Sequence, residues 1–274
     1  MNLAEKTEKT KHIEITVKIC GLKSEKDVLI CQKYGADILG FVVDYPLPVP
    51  WNLSLEEAGV LFAAAAAGTG TEVAARTGAS AETSASTGAA ALARTCLVTG
   101  GDTDKIIALA EKLRPSYLQL HYRETLAETE RLAAYLKALG LDIQIIKTLP
   151  LSSEERYYQF GSHSLEYAVR RLCETDIFGV LIDSRTPEDP ASPGKKVDLD
   201  AFLAVKRLSS KPVILAGGIT PDSVAGILER SGAEFIDVMT GVERSRGVKD
   251  EMKVRDLLGK VRYRITPPAK PDSR

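Results

Sequence analysis

Eight short apolar runs, each followed by a helical pattern, set the limits on what this chain can fold into. The runs are Ile15–Cys20, Ile38–Val43, Thr95–Val98, Tyr117–Leu120, Ile143–Lys147, Val180–Asp183, Val213–Leu215 and Phe235–Val238. The helical patterns lie near Ser24–Tyr34, Ser54–Ala65, Thr103–Leu113, Thr125–Leu139, Ser164–Glu174, Asp200–Leu208, Pro221–Arg230 and Asp250–Val261. Strands that are apolar almost throughout, set between amphipathic helices, belong to a parallel sheet covered on both faces. Eight such units within 274 residues predict an α/β protein with a single (β/α)8 (TIM) barrel over residues 15–263. A doubly wound open sheet is the alternative. Local signals agree. Ser24 precedes Glu25, Lys26 and Asp27 and suits a helix N-cap. Thr220-Pro221 puts a proline at a first helical position after a capping hydroxyl. Gly35 and Gly140 follow helical patterns, where a left-handed cap is expected.

One stretch breaks the rhythm. Residues 63–93 are almost entirely Ala, Gly, Thr and Ser with a few charges. So few large apolar groups cannot offset the entropy of ordering the chain, and the stretch reads as a disordered insertion between helix 2 and strand 3. Residues 1–14 and 264–274 read as flexible tails. The net charge of -1 offers no electrostatic footprint for nucleic acid or an anionic membrane. No apolar run approaches the ~20 residues of a membrane span. The charged N-terminus lacks the apolar core of a secretion signal. Cys20, Cys31, Cys96 and Cys173 are widely spaced and form no CxxC pair, which argues against zinc or a redox dithiol. The expectation is a cytoplasmic protein with reduced thiols and no bound metal, monomeric or homodimeric.

In a (β/α)8 barrel the active face lies at the strand C-termini. Cys20, Asp183, Gly217-Gly218 and Thr240-Gly241 all fall there. Bare backbone after strands 7 and 8 suits a phosphate group, though two tight turns would read the same way. Cys20 is a base, a nucleophile or simply packing. An ordinary thiol, with a pKa near ~8.5, is only a few per cent thiolate at neutral pH, so a catalytic role needs help from its surroundings. Lys18 points the same way as Cys20 on a regular strand. Asp183 ends an apolar strand, where partial burial favours the protonated form and suits a general acid; pairing with Arg185 is the alternative. Gln119 and His121 share a face at the end of strand 4, with ligand contact or solvation both open to His121. Asp237 reads as a loop support that accepts backbone hydrogen bonds, or as a site residue. Cys31, Cys96 and Cys173 read as packing.

Taken together, these residues resemble the phosphoribosylanthranilate isomerase family of tryptophan biosynthesis. The likeness rests on Lys18-Ile19-Cys20-Gly21, Gly35-Ala36-Asp37 with Gly40-Phe41-Val42, Leu118-Gln119-Leu120-His121, Leu181-Ile182-Asp183, Gly217-Gly218-Ile219, and Asp237-Val238 with Gly241-Val242-Glu243. The resemblance implies a cofactor-free Amadori rearrangement of N-(5-phosphoribosyl)anthranilate to 1-(2-carboxyphenylamino)-1-deoxyribulose 5-phosphate. By that likeness Asp183 is the general acid, Cys20 the general base, and Gly217, Gly218, Thr240 and Gly241 hold the phosphate. Gln119, His121 and Arg185 fall on the anthranilate side. Family members usually carry an arginine after strand 2 that pairs with the anthranilate carboxylate. Here the segment Asp44–Asn52 has no cation, and Arg185 or Lys147 would have to replace it. The loop Pro190–Gly194 is stiffer than the family's glycine-rich loop, and Met239-Thr240 stands where two serines are usual. An isomerase for a related sugar phosphate, or a catalytically silent phosphosugar-binding barrel, are the rival readings.

Overall fold

The computed structural model describes residues 14–67, 93–184 and 197–265. Eight parallel strands close into a barrel: β1 (Thr16–Ile19), β2 (Ile38–Val43), β3 (Arg94–Thr99), β4 (Tyr117–Leu120), β5 (Gln144–Thr148), β6 (Gly179–Ile182), β7 (Val213–Ala216) and β8 (Phe235–Val238). Each pairs with its neighbour in sequence, and β1 pairs with both β2 and β8, so no edge is left open. Eight helices form the outer layer: α1 (Glu25–Lys33), α2 (Leu55–Ala67), α3 (Thr103–Leu113), α4 (Leu126–Ala138), α5 (Leu165–Glu174), α6 (Leu199–Leu208), α7 (Val224–Ser231) and α8 (Glu251–Ile265).

Strand alternation sorts side chains into two cores. Val17, Ile19, Leu39, Phe41, Leu118 and Leu120 face the helices and join their apolar stripes. Ile38, Val42, Cys96, Val98, Ile146, Leu181 and Ile214 fill the barrel interior. Its lower end is packed by the rings of Tyr117, Phe178 and Phe235, with centroids 5.2 and 6.4 Å apart. Arg94 donates to the Tyr117 hydroxyl there (2.6 Å).

The cap expected at Ser24 forms, and α4 carries one of its own. Ser24 accepts from the Asp27 amide (3.2 Å), and Thr125 and Glu128 make a reciprocal capping box at α4. Gly35 and Gly140 take left-handed φ values of 82° and 66°. Four details depart from expectation. Helix α2 continues to Ala67, so residues 63–67 are helix and not insertion: alanine is the best helix former, and Leu61 and Ala65 are buried on one face. Helix α7 begins at Val224, not at Pro221. The Thr220 and Ser223 hydroxyls bond each other and each other's amides, holding residues 221–223 in a turn. A short extra helix, Ser153–Phe160, lies between β5 and α5, capped by Ser152 and ended by left-handed Gly161. Helix α8 runs through Ile265, two residues into the expected tail. The rest of the expected insertion (68–92), the tails before 14 and beyond 265, and Arg185 lie outside the described residues. No helix among the described residues is long and apolar enough to cross a membrane.

Candidate active site

At the C-terminal mouth of the barrel a cleft of about 430 Å³ brings together Cys20, Gln119, His121, Asp183 and Asp237. Four strands supply them: β1, β4, β6 and β8. Cys20 follows β1 directly, and its amide donates to the Val238 carbonyl (2.9 Å), so the thiol is fixed where β1 meets β8. Asp183 follows β6 on another part of the wall. The segment after β2 folds over the opening and adds Tyr45, Val49 and Trp51; Met239, after β8, meets them. Tyr45 is anchored by donating to the His121 carbonyl (2.8 Å). Trp51 donates through Nε1 to Glu243 (2.7 Å), whose carboxylate also binds Lys249 (2.9 Å). A buried ion pair thus holds the indole in place.

His121 Nδ1 lies 2.9 Å from Gln119 Nε2 and 2.8 Å from Thr148 Oγ1. With the Gln119 NH2 turned toward it, Nδ1 accepts, and the ring proton then sits on Nε2. Nε2 faces Asp183 Oδ2 at 3.8 Å. The histidine therefore presents a donor to the carboxyl group, and Asp183, 4% exposed, is shielded from bulk water.

Lys18 is fully buried beneath Cys20, and its ammonium binds Asp237 Oδ2 at 2.8 Å. Burial works against that charge. Asp237, through charge and a hydrogen bond, together with Cys20 and Cys96 outweighs it and holds Lys18 above its ordinary pKa. Burial pushes the Cys20 thiol up; Lys18 opposes this through charge and a hydrogen bond, while Asp237 adds to it. Gly40 on β2 makes the corner possible, since a Cβ there would lie 2.9 Å from Cys20 Sγ and 3.0 Å from Lys18 Cε.

The two glycine loops lie beside the cleft and do not form its wall. Gly217 and Gly218 have φ values of +91° and +61°. A Cβ at Gly217 would strike Ser184 Oγ and approach Asp183 Oδ1 to 3.1 Å. One at Gly241 would overlap the Ile219 carbonyl, so the loops after β7 and β8 pack directly on each other. Thr240 opens the 3₁₀ turn Thr240–Val242. A second cleft of about 500 Å³ adjoins the first and shares His121 and Asp183 with it.

Two sequence-based expectations need correction. Lys147 is not available to a carboxylate ligand: it is fully buried, bonded to Gln159 (2.9 Å) and paired with Glu124 (3.6 Å). Asp237 holds a buried ammonium in place of backbone amides, because the closing register sets it opposite Lys18. The signal was present in the sequence. A lysine and an aspartate inside two otherwise apolar strands are tolerable only if they find each other. Trp51 and Tyr45 were missed because a loop's path over the mouth leaves no periodicity. Among the described residues no group of three His, Cys, Asp or Glu side chains is placed to hold a metal ion.

Comparison with known proteins bears on this site. The model of the N-(5'phosphoribosyl)anthranilate (PRA) isomerase family matches residues 60–260. The N-(5'-phosphoribosyl)anthranilate isomerase of Methanosarcina acetivorans is 30% identical over 261 residues, covering 94% of this chain and 97% of that protein. Its counterpart in Cereibacter sphaeroides is 30% identical over 245 residues, covering 89% and 97%. The phosphoribosyl anthranilate isomerase structure from Thermotoga maritima shares the fold, with a TM-score of 0.65, 23% identity and coverage of 91% and 99%. A phosphoribosyl anthranilate isomerase solved with reduced 1-(o-carboxyphenylamino)-1-deoxyribulose 5-phosphate superposes with a TM-score of 0.63 at 21% identity, covering 91% and 99%. The family model begins after β2, while the two relatives extend the likeness over nearly all of the chain. The chain belongs to the N-(5'-phosphoribosyl)anthranilate isomerase family.

Proposed function

We propose that this protein is a phosphoribosylanthranilate isomerase acting in tryptophan biosynthesis. It converts N-(5-phosphoribosyl)anthranilate to 1-(2-carboxyphenylamino)-1-deoxyribulose 5-phosphate. The observation that carries the reading is that one cleft holds an acid, Asp183, and a thiol, Cys20, on different parts of its wall. Asp183 gives a proton to the ribose ring oxygen. The C1–O bond breaks, and the nitrogen lone pair forms a protonated Schiff base. That cation draws electrons from C2 and acidifies its proton. Cys20, as thiolate, takes the proton, and the C2 electron pair flows to the iminium to give an enolamine. Tautomerisation of the enolamine yields the ketone. The cation also favours the thiolate that attacks beside it, offsetting the burial that otherwise keeps the thiol protonated. Trp51, Tyr45 and Val49 supply apolar surface for an aromatic ring and exclude water from the charged intermediate.

In this reading Gly217, Gly218, Thr240 and Gly241 take the phosphate, and Gln119, His121 and Arg185 lie toward the anthranilate. The substrate is a small phosphosugar, the location cytoplasmic, and the protein a monomer or homodimer. The decisive experiment follows the fluorescence of freshly made phosphoribosylanthranilate in the presence of wild type, Cys20→Ser and Asp183→Asn. Rapid loss of signal with wild type, slowed at least ~100-fold in each variant, is the expected result. Folded wild type that turns over a phosphoriboside without the carboxylate in preference to this substrate would move the activity to a related sugar phosphate. Binding without turnover at any pH would leave a silent barrel.

A further inference from the structure

The two oxygens of Asp237 have different surroundings. Oδ2 binds the buried Lys18 ammonium at 2.8 Å. Oδ1 is buried and has no hydrogen-bond partner among the described residues. A shielded carboxylate oxygen without a donor is unfavourable, and native sites rarely retain one unless a ligand, water or ion completes it. Asp237 lines the same cleft as Cys20, whereas Lys18 does not reach it. The register of β1 on β8 sets Lys18 opposite Asp237 and Ile19 opposite Val238, which leaves Cys20 one step nearer the mouth. Gly40 lets the thiol and the Lys18 side chain crowd into one corner. The charged and titratable groups around that corner are Lys18, Cys20, Cys96, Asp237 and Lys249.

We infer that Asp237 Oδ1 accepts a hydrogen bond from the substrate's C2 hydroxyl, so that Asp237 is a positioning residue that turns the C2 proton toward Cys20. The inference rests on the isomerase reading. An anionic oxygen repels a phosphate or a carboxylate, so its partner on this substrate is a neutral donor. The sugar supplies several hydroxyls, and only the C2 hydroxyl shares its carbon with the proton Cys20 removes. Fixing that hydroxyl against Asp237, one strand over from the thiol, limits rotation about C2. Lys18 holds the carboxylate by its other oxygen, which leaves Oδ1 to a donor from the ligand.

The test is a titration of the wild-type protein with two ligands, 1-(2-carboxyphenylamino)-1-deoxyribitol 5-phosphate and its 2-deoxy counterpart. A hydrogen bond to a charged acceptor predicts that the 2-deoxy ligand binds ~10–100-fold more weakly. Equal affinities would overturn the assignment. Lys18→Met/Asp237→Leu, which removes the pair together and leaves no buried lone charge, should narrow the difference to within ~3-fold. A tenfold preference that persists in that variant would also overturn it. If the double variant does not fold, the wild-type comparison decides alone. Wild-type turnover is measured in parallel: turnover with equal ligand affinities defeats this inference alone, and absence of turnover defeats the isomerase reading.

Discussion

Cys20 sits in surroundings that hold its thiol above the ordinary value, burial outweighing the Lys18 ammonium. A base of that kind gains activity as pH rises, because each step upward increases the thiolate fraction. We expect kcat/KM to climb through the neutral range into the alkaline range, and Lys18→Met to shift the climb to higher pH; a flat profile in both proteins would remove Cys20 as the base. Gly40 is the second residue to test. A methyl group there meets Cys20 Sγ at 2.9 Å and Cys20 Cα at 3.1 Å, so the thiol has to move. Gly40→Ala should lower kcat at least ~10-fold while stability falls by only ~1–3 kcal/mol, read by steady-state kinetics and denaturant titration. Cys20 and Asp183 were legible in the sequence because each ends an apolar run, and in this fold strand ends are the active face. The Lys18–Asp237 contact was not. It depends on which strand closes against β1, a pairing across 219 positions that local pattern does not encode.

Among the elements, the segment Tyr45–Trp51 shapes the cleft more than any helix does. Trp51 is 1% exposed and is held by Glu243, itself bound to Lys249. Trp51→Phe keeps most of the ring and removes the only N–H that the indole offers. Glu243 then loses one donor while keeping its ammonium. The expected loss is ~1–3 kcal/mol of stability, with KM raised more than kcat is lowered; unchanged KM would mean that this segment does not contact substrate. Strands and long helices were legible because their periodicity is sustained over several turns. The extra helix at Ser153–Phe160 was passed over because its eight residues are mostly polar, although Ser152 with Glu155 three residues on was a usable capping signal. The displaced start of α7 has a different cause. Proline sets φ, but the Thr220 and Ser223 hydroxyls compete for the same backbone groups and hold a turn first.

For the whole molecule, closure is the defining event, and several buried groups depend on it. Asp37 accepts from the Val17 amide (2.7 Å) and from Arg262 (2.7 and 2.8 Å), which ties the last helix to the first two strands. Closure also seals three thiols, Cys20, Cys31 and Cys96, away from water. Burial pushes Cys31 and Cys96 up to about 12, and Cys20 upward as well. The unfolded chain exposes the same thiols at about 8.5. Below that pH both states keep the protons and folding is unaffected. Above it the unfolded state ionises while the folded state does not, so stability is lost as pH rises. Each fully buried thiol contributes a slope of ~1.4 kcal/mol per pH unit, and Cys31 with Cys96 should together remove ~4 kcal/mol by pH 10. Thermal melts of wild type from pH 7 to 10 should show that decline, and Cys31→Ala should make it shallower by about the slope of one thiol, whatever the substitution does to stability at pH 7. Equal slopes in the two proteins would mean that the Cys31 thiol meets water in the folded state, and that the layer between β1, α1 and α2 is looser than its burial implies.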